Sequence, residues 1–98
     1  MSKGILFLFV LLSKIATMRI VGEIAHPILK ITVFSLNMKY AIKLEAGLME
    51  QTFKIRESDA VKSLKDIERI VDETFLNEAL ERFKVMNVSL NDTFKRNF

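Results

Sequence analysis

The side chains that could do chemistry are few, and they are quickly weighed. His26 stands directly before Pro27 and is the only histidine. An imidazole there could serve as a general base or a metal ligand. A metal site takes about three or four ligands, and the chain has no cysteine and no second histidine. His26 is therefore expected to be a solvent-facing turn residue, with no metal or cofactor bound. Ser-His-Asp catalysis would have to pair His26 with a distant serine, and nothing in the spacing supports it. Glu45 and Glu50 flank a glycine turn. Paired acids do acid/base work only where burial or crowding separates their pKa values, and a hairpin tip is open to water. Asp72, Glu73 and Glu78 fit the polar side of a helix. Glycines at 4, 22 and 47 form no Gly-rich loop, and no GKS or GKT follows them, so a phosphate-binding loop is excluded. No catalytic residue is expected, and the chain is read as a non-enzyme.

One set of charged residues does suggest binding. Lys30, Lys39, Lys43, Lys54 and Arg56 share a parity in their strands, with Phe34 among them. Basic groups track a phosphate backbone and an aromatic ring can stack on a base, which is how some sheets hold single-stranded nucleic acid. Lys30, Phe34, Lys43, Lys54 and Arg56 are the candidate nucleic-acid face. The competing reading is ordinary: lysines line the wet face of many sheets and guard their edges. Net charge is +3 overall, with +2 over residues 18–57 and −2 over 58–84. That asymmetry is far short of a basic stripe.

The elements that must position these residues follow from periodicity. Lys39–Glu45 and Met49–Arg56 alternate apolar and polar residues around Gly47, which predicts a central hairpin. Tyr40, Ile42 and Leu44 face one side with Met49, Phe53 and Ile55. Arg19–Ile24 is expected as a short edge strand and Ile28–Leu36 as the next strand, separated by the turn Ala25-His26-Pro27. Asn37-Met38 turns the chain into the hairpin. Ser58 or Asp59 is expected to cap a helix whose apolar face is Ala60, Leu64, Ile67, Val71 and Phe75. Beyond it the apolar stripe rotates, and Asp72-Glu73-Thr74 offers a new cap. The prediction is an α+β fold, an antiparallel meander of three to four strands followed by one kinked helix or two consecutive helices.

The first 17 residues differ from the rest. Lys3 precedes eight apolar residues, Ile5–Leu12, too few for a spanning helix of about 20. A signal-like segment, a start-site artefact with translation from Met18, or an apolar helix docked elsewhere all fit. Residues 18–98 are expected to form a single domain. A membrane partner is expected only if the leading segment is retained. The lack of cysteine suits a reducing compartment, and a cytoplasmic protein is expected if the chain starts at Met18.

The apolar positions of the second half exceed what one face of a small sheet is expected to cover. Leu76, Leu80, Phe83, Met86, Leu90 and Phe94 are the candidate self-association face, and a two-fold homodimer is the expected way to hide them. Another protein's groove or helix is the alternative.

Two resemblances accompany these readings. The sheet-then-helix order resembles the single-strand-binding fold of the whirly and transcriptional-coactivator proteins, which dimerise through a helix. Only element order is shared, so no functional residue is carried over. The stretches Gly22-Glu23-Ile24, His26-Pro27, Lys30–Phe34, Ile42–Glu45 and Glu50–Lys54 resemble a group of small uncharacterised bacterial proteins over most of residues 18–90. That likeness implies no activity.

Overall fold

A computed structural model describes residues 18–98; the readings of the first 17 residues lie outside the described residues. Alternating side chains draw the chain into four strands, β1 (Arg19–Ile24), β2 (Lys30–Leu36), β3 (Lys39–Ala46) and β4 (Met49–Arg56). They form one sheet in the order β1-β2-β3-β4, each antiparallel to the next. Two helices follow, α1 (Leu64–Ile70) and α2 (Glu73–Asn97). The fold is the α+β meander that the sequence pattern predicts, with two consecutive helices.

The register places one apolar row across the strands after another. Ile24, Ile31, Leu44 and Gln51 align, as do Gly22, Val33, Ile42 and Phe53. These rows face the helices. Ile31, Val33, Ile42, Leu44, Ile67 and Ala79 are sealed from solvent, with Leu29, Tyr40, Val71 and Phe83 nearly so. A bulge at Val21 shifts the register of β1, the edge strand, and such irregularities hinder edge-to-edge pairing.

The two hairpin turns solve the same backbone problem with different residues. Asn37 and Met38 both have positive φ, 46° and 62°, the type I′ pattern that matches the twist of the flanking strands. At the other hairpin Gly47 takes φ 61° in the first central position, as a type II′ turn requires.

Two element boundaries differ from the sequence prediction. The second strand starts at Lys30, not Ile28, because Nδ1 of His26 accepts the backbone N–H groups of Ile28 and Leu29 at 3.1 and 3.0 Å. Those donors serve the turn rather than the ladder, leaving Ile28 exposed. The first helix is capped by Ser63, not by Ser58 or Asp59. Ser58 and Val61 instead close a tight turn through reciprocal backbone bonds of 2.9 and 3.2 Å. Ala60 is therefore exposed and outside the apolar stripe, whereas Leu64, Ile67, Val71 and Phe75 pack into the core.

The break between the helices falls at Asp72, whose side chain accepts from the N–H of Phe75 at 2.9 Å, an N-cap that restarts the helix. From there α2 runs 25 residues, about 37 Å at the usual rise of 1.5 Å per residue. The longest strands have eight residues, about 27 Å. The helix outruns the sheet. The radius of gyration of the described residues is 17.2 Å, against about 12 Å for a compact chain of that length.

Candidate functional site

The outer sheet face is assembled as the alternation predicts. Lys30 lies level with Glu45 and Glu50; Thr32 with Lys43 and Thr52; Phe34 with Ala41 and Lys54; Leu36 with Lys39 and Arg56. Lys30, Phe34, Lys43, Lys54 and Arg56 thus share one surface. Its centre is already occupied. The Lys43 ammonium stands 5.6 Å from the Phe34 ring centroid and 3.4 Å from Oε1 of Glu45. Thr32 beneath is buried at 4% exposure. The ring that would stack a base is thus capped by a cation–π contact. Lys39, Lys54 and Arg56 are exposed, and the register sets Lys39 directly opposite Arg56.

The residues weighed for catalysis sit apart. His26 is bound into its turn by the two contacts described above. Glu45 and Glu50 are register partners at the hairpin end. Glu45 meets Lys43, and Glu50 accepts from the Thr52 hydroxyl at 3.2 Å. Among the described residues no group of three or more His, Cys, Asp or Glu side chains converges as a metal site would require.

The apolar stripe of α2 divides in two, which corrects the extent of the predicted surplus. Leu76, Leu80, Phe83 and Met86 pack against the chain's own core, with Phe83 only 6% exposed. The sheet can shelter them because the restart at Asp72 lays the first turns of α2 along it. Leu90 and Phe94 remain exposed at 48% and 54%, and Phe98 at 98%. The rings of Phe94 and Phe98 meet on successive turns, tilted by 33° with centroids 5.6 Å apart. Leu76, Leu80, Phe83, Asn87, Leu90 and Phe94 recur at alternating intervals of four and three, the heptad spacing of helices that pack together.

Beside this stripe a cleft of about 850 Å³ opens between α2 and the β3–β4 hairpin. Ile28, Ala46, Leu48 and Met49 form one wall, and Leu80, Phe83, Asn87 and Leu90 the other. Leu48 projects fully into solvent from the hairpin tip, and Ile28 is 68% exposed. The sequence reading put Met49 on the inward face and Ile28 at the start of the second strand, but missed Leu48, which sits in a turn where periodicity gives no signal. It also missed Gln51, which shares the inward parity of Phe53 and Ile55 and bonds both Ala79 and Arg82. Parity alone could have found it.

Phe53 completes the junction. Its ring meets Phe75 edge-on at 5.1 Å, and the Arg82 guanidinium lies 5.6 Å from its centroid. Among the described residues no helix is long and apolar enough to cross a membrane. Comparison of the chain with models of protein families, with curated proteins and with solved structures gives no match, so the two resemblances rest on the quoted residues and on element order.

Proposed function

We propose that this protein is a small non-enzymatic binding and assembly module, acting in the cytoplasm as a homodimer. One observation carries the reading: the apolar stripe that α2 packs on its own sheet continues, in phase, along a helical overhang with Leu90, Phe94 and Phe98 in water. Fully burying a side chain of this size contributes about 1.5–3 kcal/mol, so a free overhang is costly to leave uncovered. Contiguous exposed apolar surface marks interaction sites, and two-fold pairing is the commonest way for a soluble chain to cover one. Sedimentation of the full chain over a range of concentrations tests this. A concentration-dependent dimer is expected, and a folded monomer at every concentration rules it out.

Single-stranded nucleic-acid binding on the outer sheet face is a second reading. The observation in its favour is the placement of Lys39 directly across from Arg56, with Lys54 on the same face. Like charges directly opposite cost stability, and a polyanion would relieve them. The mark of such binding is loss of affinity with rising salt. Strand amide shifts unmoved by an oligonucleotide at low salt would dispose of it.

A further inference from the structure

Resting on the homodimer reading, the structure points to where the second copy sits. We propose that the cleft between α2 and the β3–β4 hairpin is filled by the overhang of a second copy. The two α2 helices cross antiparallel about an axis close to Asn87, and Phe94 and Phe98 of each copy enter the other's cleft.

Three features of the molecule fit this occupant. The first is spacing. Leu80 and Phe94 lie seven residues either side of Asn87, and Leu76 and Phe98 lie eleven either side. A two-fold axis at Asn87 therefore brings each exposed ring level with an apolar residue at or beside the partner's cleft. The same axis sets the two Asn87 side chains against each other. A carboxamide both donates and accepts, and a lone asparagine in a heptad seam fixes register and partner number.

The second is area. Ile28, Leu48, Leu90, Phe94 and Phe98 are 68%, 107%, 48%, 54% and 98% exposed. Together they offer roughly 700–800 Å² on each copy, close to the ~800 Å² per partner of a standard stable interface. The third is charge. The early part of α2 carries Glu73, Glu78 and Glu81, and its last turn carries Lys95 and Arg96. Antiparallel crossing brings Lys95 of one helix near the level of Glu81, a cleft residue of the other that also meets its own Lys84 at 3.0 Å. Glu78 and Arg96 lie on the side of α2 away from Asn87. The crossing also opposes the two helix dipoles.

The test is sedimentation of the full chain beside three variants, each checked for unchanged helix content by circular dichroism. Phe83 is unsuitable, being part of the subunit's own core. Phe94→Asp and Leu48→Asp alter exposed positions on the overhang and on the cleft wall. Each is expected to raise the dimer dissociation constant about 30-fold or more, as loss of a buried anchor does. Val85→Asp, at a 69% exposed position on the opposite side of α2, is expected to leave it unchanged. A dimer that persists in both Phe94→Asp and Leu48→Asp overturns this interface while sparing the homodimer reading. An unaltered chain that is monomeric overturns both, and leaves the cleft to the chain's own leading segment or to a different protein.

Discussion

The side-chain amide of Gln51, on β4, donates to the backbone carbonyl of Ala79, in α2, at 2.9 Å. Its own carbonyl receives Nε–H of Arg82 at 2.9 Å. Ala79 is fully buried, so the helix backbone lies close enough for one glutamine to bridge sheet and helix. The bridge joins residues 28 apart in sequence and fixes where α2 crosses β4. Replacing Gln51 by Ala is expected to lower unfolding stability by about 1–2 kcal/mol, two hydrogen bonds at their usual net worth. Arg82→Ala is expected to cost less, about 0.5–1 kcal/mol, because water can replace an exposed donor. Urea midpoints at constant slope measure both. An unchanged midpoint for Gln51→Ala would show that the bridge contributes nothing.

The glutamates at the hairpin end make a second, electrostatic prediction. Glu45 and Glu50 are direct register partners, and like charges so placed destabilise a strand pair. Glu45 is already drawn to Lys43 at 3.4 Å, while Glu50 is exposed. Glu50→Lys should therefore stabilise the domain by about 0.2–1 kcal/mol. The gain should shrink in high salt, because screening acts strongly on exposed charges. Thermal unfolding at low and high salt distinguishes this from a propensity effect, which salt would leave alone.

Met38 holds φ 62° at 75% exposure. A side chain gains little there and strains the backbone, since left-handed geometry costs a non-glycine residue about 1–2 kcal/mol. Asn-Gly is the preferred pair for a type I′ turn. Met38→Gly is therefore expected to stabilise the protein by about 0.5–1 kcal/mol after the entropy cost of glycine in the unfolded chain. Gly47→Ala, at φ 61°, should destabilise by a similar amount. Chemical denaturation of the two variants should show midpoint shifts of opposite sign.

Asp66 gives the chain a pH dependence at the start of α1. Its carboxylate accepts the N–H of Lys62 at 3.0 Å and the hydroxyl of Ser63 at 3.1 Å, while the Ser63 hydroxyl caps the N–H of Asp66. The backbone N–H of Lys62 is the main cause that holds the Asp66 pKa below its ordinary 3.8, with Ser63 and Arg69 adding to it. A carboxylate depressed on folding stabilises the folded state above the unfolded value, and that contribution is lost as pH falls through the folded value. Asp66→Asn should therefore be less stable than the unaltered chain at neutral pH. The gap should close in acid, below about pH 4. A gap that stays constant from pH 7 to acid would count against the charged cap.

Legibility from sequence followed physical range. Strand parity is local, so alternation alone assigns Ile31, Val33, Ile42 and Leu44 to one face and Lys43 and Lys54 to the other. The Asp72 cap was legible for the same reason. The starts of β2 and α1 were not, because His26 diverts two strand donors and the Ser58–Val61 turn delays the helix. Both are side-chain or turn contacts that periodicity does not encode. The outer-face residues Lys30, Phe34, Lys43, Lys54 and Arg56 were placed correctly by parity, but not the capping of Phe34 by Lys43. On α2 the phase of the apolar stripe was legible, while the point where the sheet stops covering it, just past Met86, depends on strand length and crossing position together.

The approach of β1 to α1 gives a prediction in which two effects oppose each other. A Cβ built on Gly22 would lie 2.7 Å from Cδ2 of Leu64, closer than any relaxed contact. The clash is with the far end of a flexible, half-buried side chain, so a methyl group can be accepted if Leu64 turns aside. Alanine in a strand also gains about 0.5–1 kcal/mol over glycine. Gly22→Ala should therefore fall within about 1 kcal/mol of neutral. Gly22→Val, with two further methyl groups against Leu64, should cost about 1–3 kcal/mol. Truncating the obstacle should recover part of that loss: Gly22→Val combined with Leu64→Ala is expected to be more stable than the sum of the single effects, by about 0.5–3 kcal/mol. Denaturation midpoints of the four proteins in this cycle measure the coupling, and strict additivity would mean that β1 and α1 do not meet at these two residues.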